Sequence, residues 1–206
     1  GSDRLWYVPV EMNGVVEPFI FDTGAAASFV SKNFAEKHDI RVVADSILMG
    51  GVGGHDYTSL GVIDTIKIGN ILYLNMPVYI GNTDYPKDSI TVEAVLGVPF
   101  MQDVGAIKIE PKANEITFLG NAQSDDCNLS NVSLSGNRML MEVYSENQRL
   151  LMFCDTGAAM SGHINANIHK NNPELLRNVE SESDSTLVRG FAGSAYLKRQ
   201  RIPKVE

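Results

Sequence analysis

Cysteine is almost absent from this sequence: only Cys127 and Cys154 occur among 206 residues. Two thiols cannot build a disulfide-stapled framework or supply the four ligands of a structural zinc site. Either they pair with each other in an oxidising compartment or, as unpaired cysteines commonly do, they remain separate free thiols. Histidine is sparse too. His38, His55, His163 and His169 show neither metalloprotease spacing nor a cysteine partner, so no metal is expected. No run approaches the roughly 18 apolar residues of a membrane helix, so no membrane span is expected. Positive charge is in deficit, with 17 Lys+Arg against 25 Asp+Glu and a net charge of −8. With no basic stripe and no interleaved aromatics, nucleic acid is not an expected partner. The short run Lys198-Arg199-Gln200-Arg201 reads as a solvated strand edge.

What is present is ordinary for a globular chain, with 44% hydrophobic and 20% charged residues. The pattern is mostly that of strands. Trp6 to Met12 and Val15 to Phe21 alternate around Asn13-Gly14, a strong two-residue hairpin signal. Ser31 to His38 reads as a short helix with a capping serine and an apolar Phe34-Ala35 face. Gly50 to Gly54 is a glycine-rich turn. Strands follow at Tyr57 to Ile68, Leu72 to Ile80, Ala106 to Glu110 and Glu115 to Leu119, with turns at Gly69-Asn70 and Pro111 to Asn114. Residues 121–137 are polar and aperiodic and read as a linker. They include the triplets Asn128-Leu129-Ser130 and Asn131-Val132-Ser133, which matter only if the protein is secreted by a eukaryote.

Beyond the linker the first half begins again. Met139 to Tyr144, a turn at Ser145-Glu146-Asn147 and Gln148 to Cys154 repeat the opening hairpin. Each hairpin runs into the same motif. Asp22-Thr23-Gly24-Ala25-Ala26-Ala27-Ser28 and Asp155-Thr156-Gly157-Ala158-Ala159-Met160-Ser161 agree at six of seven positions. A single Asp-Thr-Gly is an ordinary polar turn. Two copies in matching contexts point to a catalytic pair. Two carboxylates roughly 3 Å apart cannot both ionise, so they share one proton and can act on water as base and on a carbonyl as acid. Such a pair titrates as a unit, and neither member is a permanent acid or base. Gly24 and Gly157 allow a sharp turn and close approach. The hydroxyls of Thr23 and Thr156 can bond across the junction and fix the two turns. Nucleophilic chemistry fits less well. Ser28 and Ser161 follow no triad or elbow pattern, Cys154 lies beside a carboxylate, and the 51–54 glycines lack the Lys-Ser/Thr of a phosphate loop.

These residues resemble the retropepsin-like aspartic peptidases, in particular bacterial retroviral-type aspartyl proteases. The resemblance includes the Asn-Gly hairpin leading into Asp22-Thr-Gly-Ala, the helix, the glycine-rich stretch, Met76-Pro77-Val78 and the element Val95-Leu96-Gly97. The strands Ile107 to Glu110 and Ile116 to Phe118 complete it. It implies an all-β fold of pepsin/retropepsin-like acid protease barrel lobes, duplicated. Residues 1–120 would be a complete lobe holding Asp22, 121–137 the linker, and 138–206 a partial second lobe holding Asp155. It also implies flaps over an extended peptide or protein substrate, formed by Gly51, Val52, Gly53 and Gly54 and by Phe191, Ala192 and Gly193. No cofactor is implied. The second copy has no further apolar-apolar-glycine element. Its lobe is therefore expected to be completed in cis, as a monomer whose chain continues, or by a partner subunit, unless it is degenerate. An extracytoplasmic location, periplasmic or secreted, is expected from the resemblance. The expected activity is aspartic endopeptidase. The alternatives are a non-catalytic peptide-binding protein of the same fold and an adhesin-like β-protein whose Asp-Thr-Gly units are turns.

Overall fold

A computed structural model of the chain describes residues 5–82, 92–120, 131–145, 148–158, 170, 180–190 and 192–201. The opening hairpin forms as its sequence requires. Strands β1 (Tyr7–Met12) and β2 (Val15–Phe21) pair from Tyr7↔Ile20 to Met12↔Val15. Asn13 and Gly14 both take positive φ, 50° and 78°, the left-handed turn whose twist matches that of the flanking strands. Val8, Val10, Met12, Phe19 and Phe21 point into one core.

After the first Asp-Thr-Gly loop, β3 (Phe29–Ser31) enters helix α1 (Lys32–Lys37). The expected cap is present: the Ser31 hydroxyl accepts the Phe34 N–H at 2.9 Å, and it donates to Glu93. Phe34 and Ala35 are buried, and the Phe34 ring meets Phe19 edge-on at 5.5 Å. Glu17 accepts from Lys37 and contacts His38 at the other end of the helix. The Lys37 ammonium, and then His38, hold the Glu17 carboxyl below its usual range despite an opposing effect of burial.

Three long strands follow: β4 (Arg41–Gly51), β5 (Gly54–Ile68) and β6 (Ile71–Gly81). The short β7 (Ala94–Leu96) then inserts between β2 and β3, parallel to the first and antiparallel to the second. The sheet closes on itself. Its order runs β1-β2-β7-β3-β6-β5, and Glu11↔Lys67 joins β5 back to β1 to complete a six-stranded barrel. Strand β4 shares one edge of the long β5 with β1, so the β4–β5 hairpin extends beyond the barrel.

Helix α2 (Val98–Val104) buries Val98, Phe100, Met101 and Val104. With β8 (Ala106–Glu110) and β9 (Glu115–Gly120) it closes one end of the barrel, through Phe118 rings 6.4 Å from Phe21 and 6.0 Å from Phe100. Neither β4 nor α2 was expected. The sequence of β4 is almost wholly exposed and lacks alternation, and the seven residues of α2 are too few to show a helical period.

The second half contributes β10 (Val132–Leu134), β11 (Met139–Ser145) and β12 (Gln148–Phe153) in one sheet, and β13 (Glu180–Gly190) with β14 (Gly193–Arg201) in another. Strand β10 corrects the expected linker. Val132-Ser133-Leu134 alternates, and it pairs with Met139 to Met141 across a tight turn. Residues 121–130, Cys127 included, lie outside the described residues. Cys154 is a free thiol. No helix among the described residues is long and apolar enough to cross a membrane.

Ser31→Ala removes both hydroxyl contacts of the α1 cap. It is expected to lower stability by about 1 kcal/mol, read as a melting temperature about 2–4 °C lower in a thermal scan.

Candidate active site

Strand β2 ends at Phe21 and delivers Asp22 to the turn that follows it. The Asp22 N–H donates to the Leu96 carbonyl of β7 at 3.0 Å, and the Phe21 N–H donates to Trp6. The carboxylate folds back on its own loop, where Oδ1 accepts the N–H groups of Gly24 at 2.8 Å and Ala25 at 3.1 Å. The second copy repeats part of this arrangement. The Cys154 N–H donates to Met139, and Asp155 Oδ1 accepts the Gly157 N–H at 2.9 Å.

The two loops meet through their threonines. The Thr23 N–H donates to Thr156 Oγ1 and the Thr156 N–H donates to Thr23 Oγ1, each at 3.0 Å. Each hydroxyl in turn donates across the junction, Thr23 to the Cys154 carbonyl and Thr156 to the Phe21 carbonyl, both at 2.6 Å. The four bonds form a two-fold exchange between segments 133 positions apart.

This junction brings each aspartate over the other loop's glycine. A Cβ on Gly24 would lie 2.4 Å from Asp155 Cγ, and one on Gly157 would lie 2.3 Å from Asp22 Cγ. Glycine is needed at both positions for that space. Each carboxyl thus lies against the loop that carries the other. Burial first, and then the neighbouring Asp155 charge, push the Asp22 carboxyl up to about 6 against the pull of the Gly24 and Ala25 N–H groups.

Behind Asp22 lies a buttress that sequence reasoning missed. The buried Ser28 hydroxyl accepts the Gly97 N–H at 3.1 Å, and the Val98 N–H donates to the Ala25 carbonyl at 2.9 Å. Gly97 presses so closely on the loop that a Cβ there would sit 2.4 Å from the Ala27 oxygen. The signal for Ser28 was available, because both repeats keep serine six residues after the aspartate.

A row of apolar side chains was also missed. Ile20, Val95, Phe29 and Tyr79 stand in register across β2, β7, β3 and β6, in a small cluster separate from the main core. Strand alternation turns Phe19 and Phe21 into the barrel and leaves Ile20 on the opposite face, the side on which Asp22 follows. Four such residues from scattered positions show no one-dimensional period.

The expected flap residues lie at two hairpin tips. Gly51 pairs with Gly54 around Val52-Gly53, and Gly190 pairs with Gly193 around Ala192. Phe191 is outside the described residues. The tips touch: a Cβ on Gly190 would lie 2.6 Å from Val52 Cβ, and one on Gly53 would lie 2.6 Å from the Gly193 carbonyl carbon. Thus the loops of Asp22 and Asp155 meet at one place, and the two glycine-rich tips meet at another.

Residues 8–100 match the Aspartyl protease family model. That segment holds the first Asp-Thr-Gly, the β4–β5 hairpin and Val95-Leu96-Gly97, and it is a little under half of the chain. Among solved structures, the chain is similar to a retropepsin-like aspartic protease from Rickettsia conorii. The two share 18% identity over 52% of this chain and 84% of that one, with a TM-score of 0.40. No curated protein matches.

Thr23→Val keeps the shape of the side chain but deprives the Cys154 carbonyl and the Thr156 N–H of their partner. Each orphaned group is expected to cost about 1–3 kcal/mol, measured by urea unfolding, whereas Thr23→Ser should retain most of the wild-type stability.

Proposed function

We propose that this chain is an aspartic endopeptidase that hydrolyses peptide bonds in extended polypeptide through Asp22, Asp155 and a water held between them. The observation that carries the reading is the reciprocal seating of the two carboxyls, each over the opposite glycine. Two acids so placed share one proton below the Asp22 value of about 6. The ionised member takes a proton from water as the water oxygen bonds to the carbonyl carbon and the other acid protonates the carbonyl oxygen; the roles then reverse, the first acid giving its proton to the amide nitrogen as the C–N bond breaks while the second takes back the hydroxyl proton. The aspartyl protease match over residues 8–100 supports the same chemistry.

The remaining parts fit such a substrate. The row Ile20, Val95, Phe29 and Tyr79 offers an apolar wall beside Asp22 for a side chain next to the cleaved bond. The touching tips at Val52-Gly53 and Gly190 to Gly193 would cover an extended peptide, exclude water and separate to admit it. No cofactor enters this reaction. In this reading residues 138–206 belong to a second lobe, completed in cis or by a partner subunit, and the enzyme acts outside the cytoplasm.

One observation favours the alternative, a peptide-binding protein of the same fold without turnover. Among the described residues β12 pairs only with β11, so Asp155 has no counterpart of the β7 contact that steadies Asp22. Cleavage of a peptide library by the purified chain decides between them. Asp22→Asn and Asp155→Asn are each expected to lower kcat/KM on the order of 10²- to 10⁴-fold, and an active Asp22→Asn protein would overturn the proposal.

Activity requires the shared proton, so kcat/KM should decline as pH rises through the Asp22 value of about 6. Stability follows the same proton. The native state binds it more tightly than the unfolded state, so the Asp22 contribution falls as pH rises from the ordinary carboxyl range through about 6. Asp22→Asn should therefore melt higher than wild type at pH 7, by about 2–4 °C for each 1 kcal/mol regained, with the difference disappearing towards pH 4.

A further inference from the structure

The threonine exchange joins the two aspartate loops at one locus, away from the place where the hairpin tips touch, and loops joined at one locus can still pivot about it. A second connection lies to one side. The turn between β10 and β11 is closed by the Ser135 N–H donating to the Arg138 carbonyl at 2.9 Å, with Gly136 at φ 59°. From this turn the Asn137 amide Nδ2 donates to the Ala26 carbonyl at 3.0 Å, and the Gly136 carbonyl accepts from Gln102 of α2 at 3.4 Å. The partner of Asn137 is a carbonyl oxygen, so the amide must present its nitrogen there.

The two ends of this contact lead to the two acids. Ala26 follows Ala25, whose N–H lies on the Asp22 carboxylate. Asn137 is two residues before Met139, whose carbonyl accepts the Cys154 N–H next to Asp155. Through Gln102, the same turn also rests on the helix that follows Gly97, the residue packed behind the Asp22 loop.

We infer that Asn137 is a positioning residue: its bond to Ala26 is the second point of attachment that fixes the angle between the Asp22 and Asp155 loops, and so the distance between their carboxyls. The inference rests on the endopeptidase reading for its effect on rate, but its effect on the carboxyl pair is independent of turnover. A neutral hydrogen bond in an exposed place adds little to global stability. Its value here is geometric, because misplacing reacting groups by about 1 Å can cost 100-fold in rate. Without the tether the acids drift apart and hydrate, and Asp22 then titrates more like an isolated carboxyl.

The test is a ¹³C-NMR titration of the aspartate carboxyls in the full chain, with peptide cleavage measured alongside. Asn137→Ala and Asn137→Asp both lose the donor. They are expected to lower the upper titration step of the pair by about half a pH unit or more. They should also lower kcat about 3- to 10-fold at nearly unchanged KM, with melting within about 2 °C of wild type. Asn137→Gln keeps the donor and should restore the titration towards wild type. Superimposable titration curves for wild type, Asn137→Ala and Asn137→Asp would overturn the inference, as would a Gln variant that behaves like Ala. If the wild type cleaves nothing, the endopeptidase reading falls while the titration still decides the role of Asn137. If it cleaves and the alanine variant matches it in both titration and kcat, the tether alone is wrong.

Discussion

Thr23 and Thr156 hold Asp22 and Asp155 in each other's company. Each threonine hydroxyl accepts one N–H and donates to one carbonyl on the opposite loop, so four polar groups that would otherwise lie orphaned at a crowded junction are satisfied reciprocally. At about 1 kcal/mol net for each bond, the direct contribution to stability is modest. The constraint matters more than the energy. It places one carboxyl over each opposite glycine, and the elevated proton affinity of Asp22 follows from that placement.

The surrounding architecture keeps this junction stiff on the Asp22 side. Closure of the barrel through Glu11↔Lys67 leaves β2 no freedom to slide, and β7, wedged between β2 and β3, accepts the Asp22 N–H. Ser28 and Gly97 lock the loop from behind. The same close packing makes substitution there costly: a methyl group on Gly24, Gly157 or Gly97 would overlap atoms that cannot move without moving an aspartate or its loop. At the other extreme, the exposed β4–β5 hairpin has few buried side chains near its tip. Among the described residues, its contact with the β13–β14 tip includes Val52, Gly53, Gly190 and Gly193.

Much of this was legible in the sequence. The Asn13-Gly14 hairpin, the Ser31 cap with its Phe34-Ala35 face, the strands after residue 57 and the paired Asp-Thr-Gly loops all form as their local chemistry dictates. Strand β4, helix α2 and the strand Val132–Leu134 were not legible, because each is too short or too exposed to carry a hydrophobic period. The apolar row beside Asp22 escaped for a different reason: Ile20, Phe29, Tyr79 and Val95 become neighbours only through strand register.

The sequence by itself determined the local devices: turns that need positive φ, a helix start, and two acidic loops small enough to approach one another. These depend on interactions within a few residues, which one dimension records. Only the tertiary structure decided that Asp22 and Asp155 share a site, that the glycines at 53 and 190 belong to opposing tips, and that Asn137 reaches Ala26. Those contacts span more than a hundred positions. They arise because a barrel closed by strand pairing, and a junction closed by two threonines, bring distant segments of the chain together.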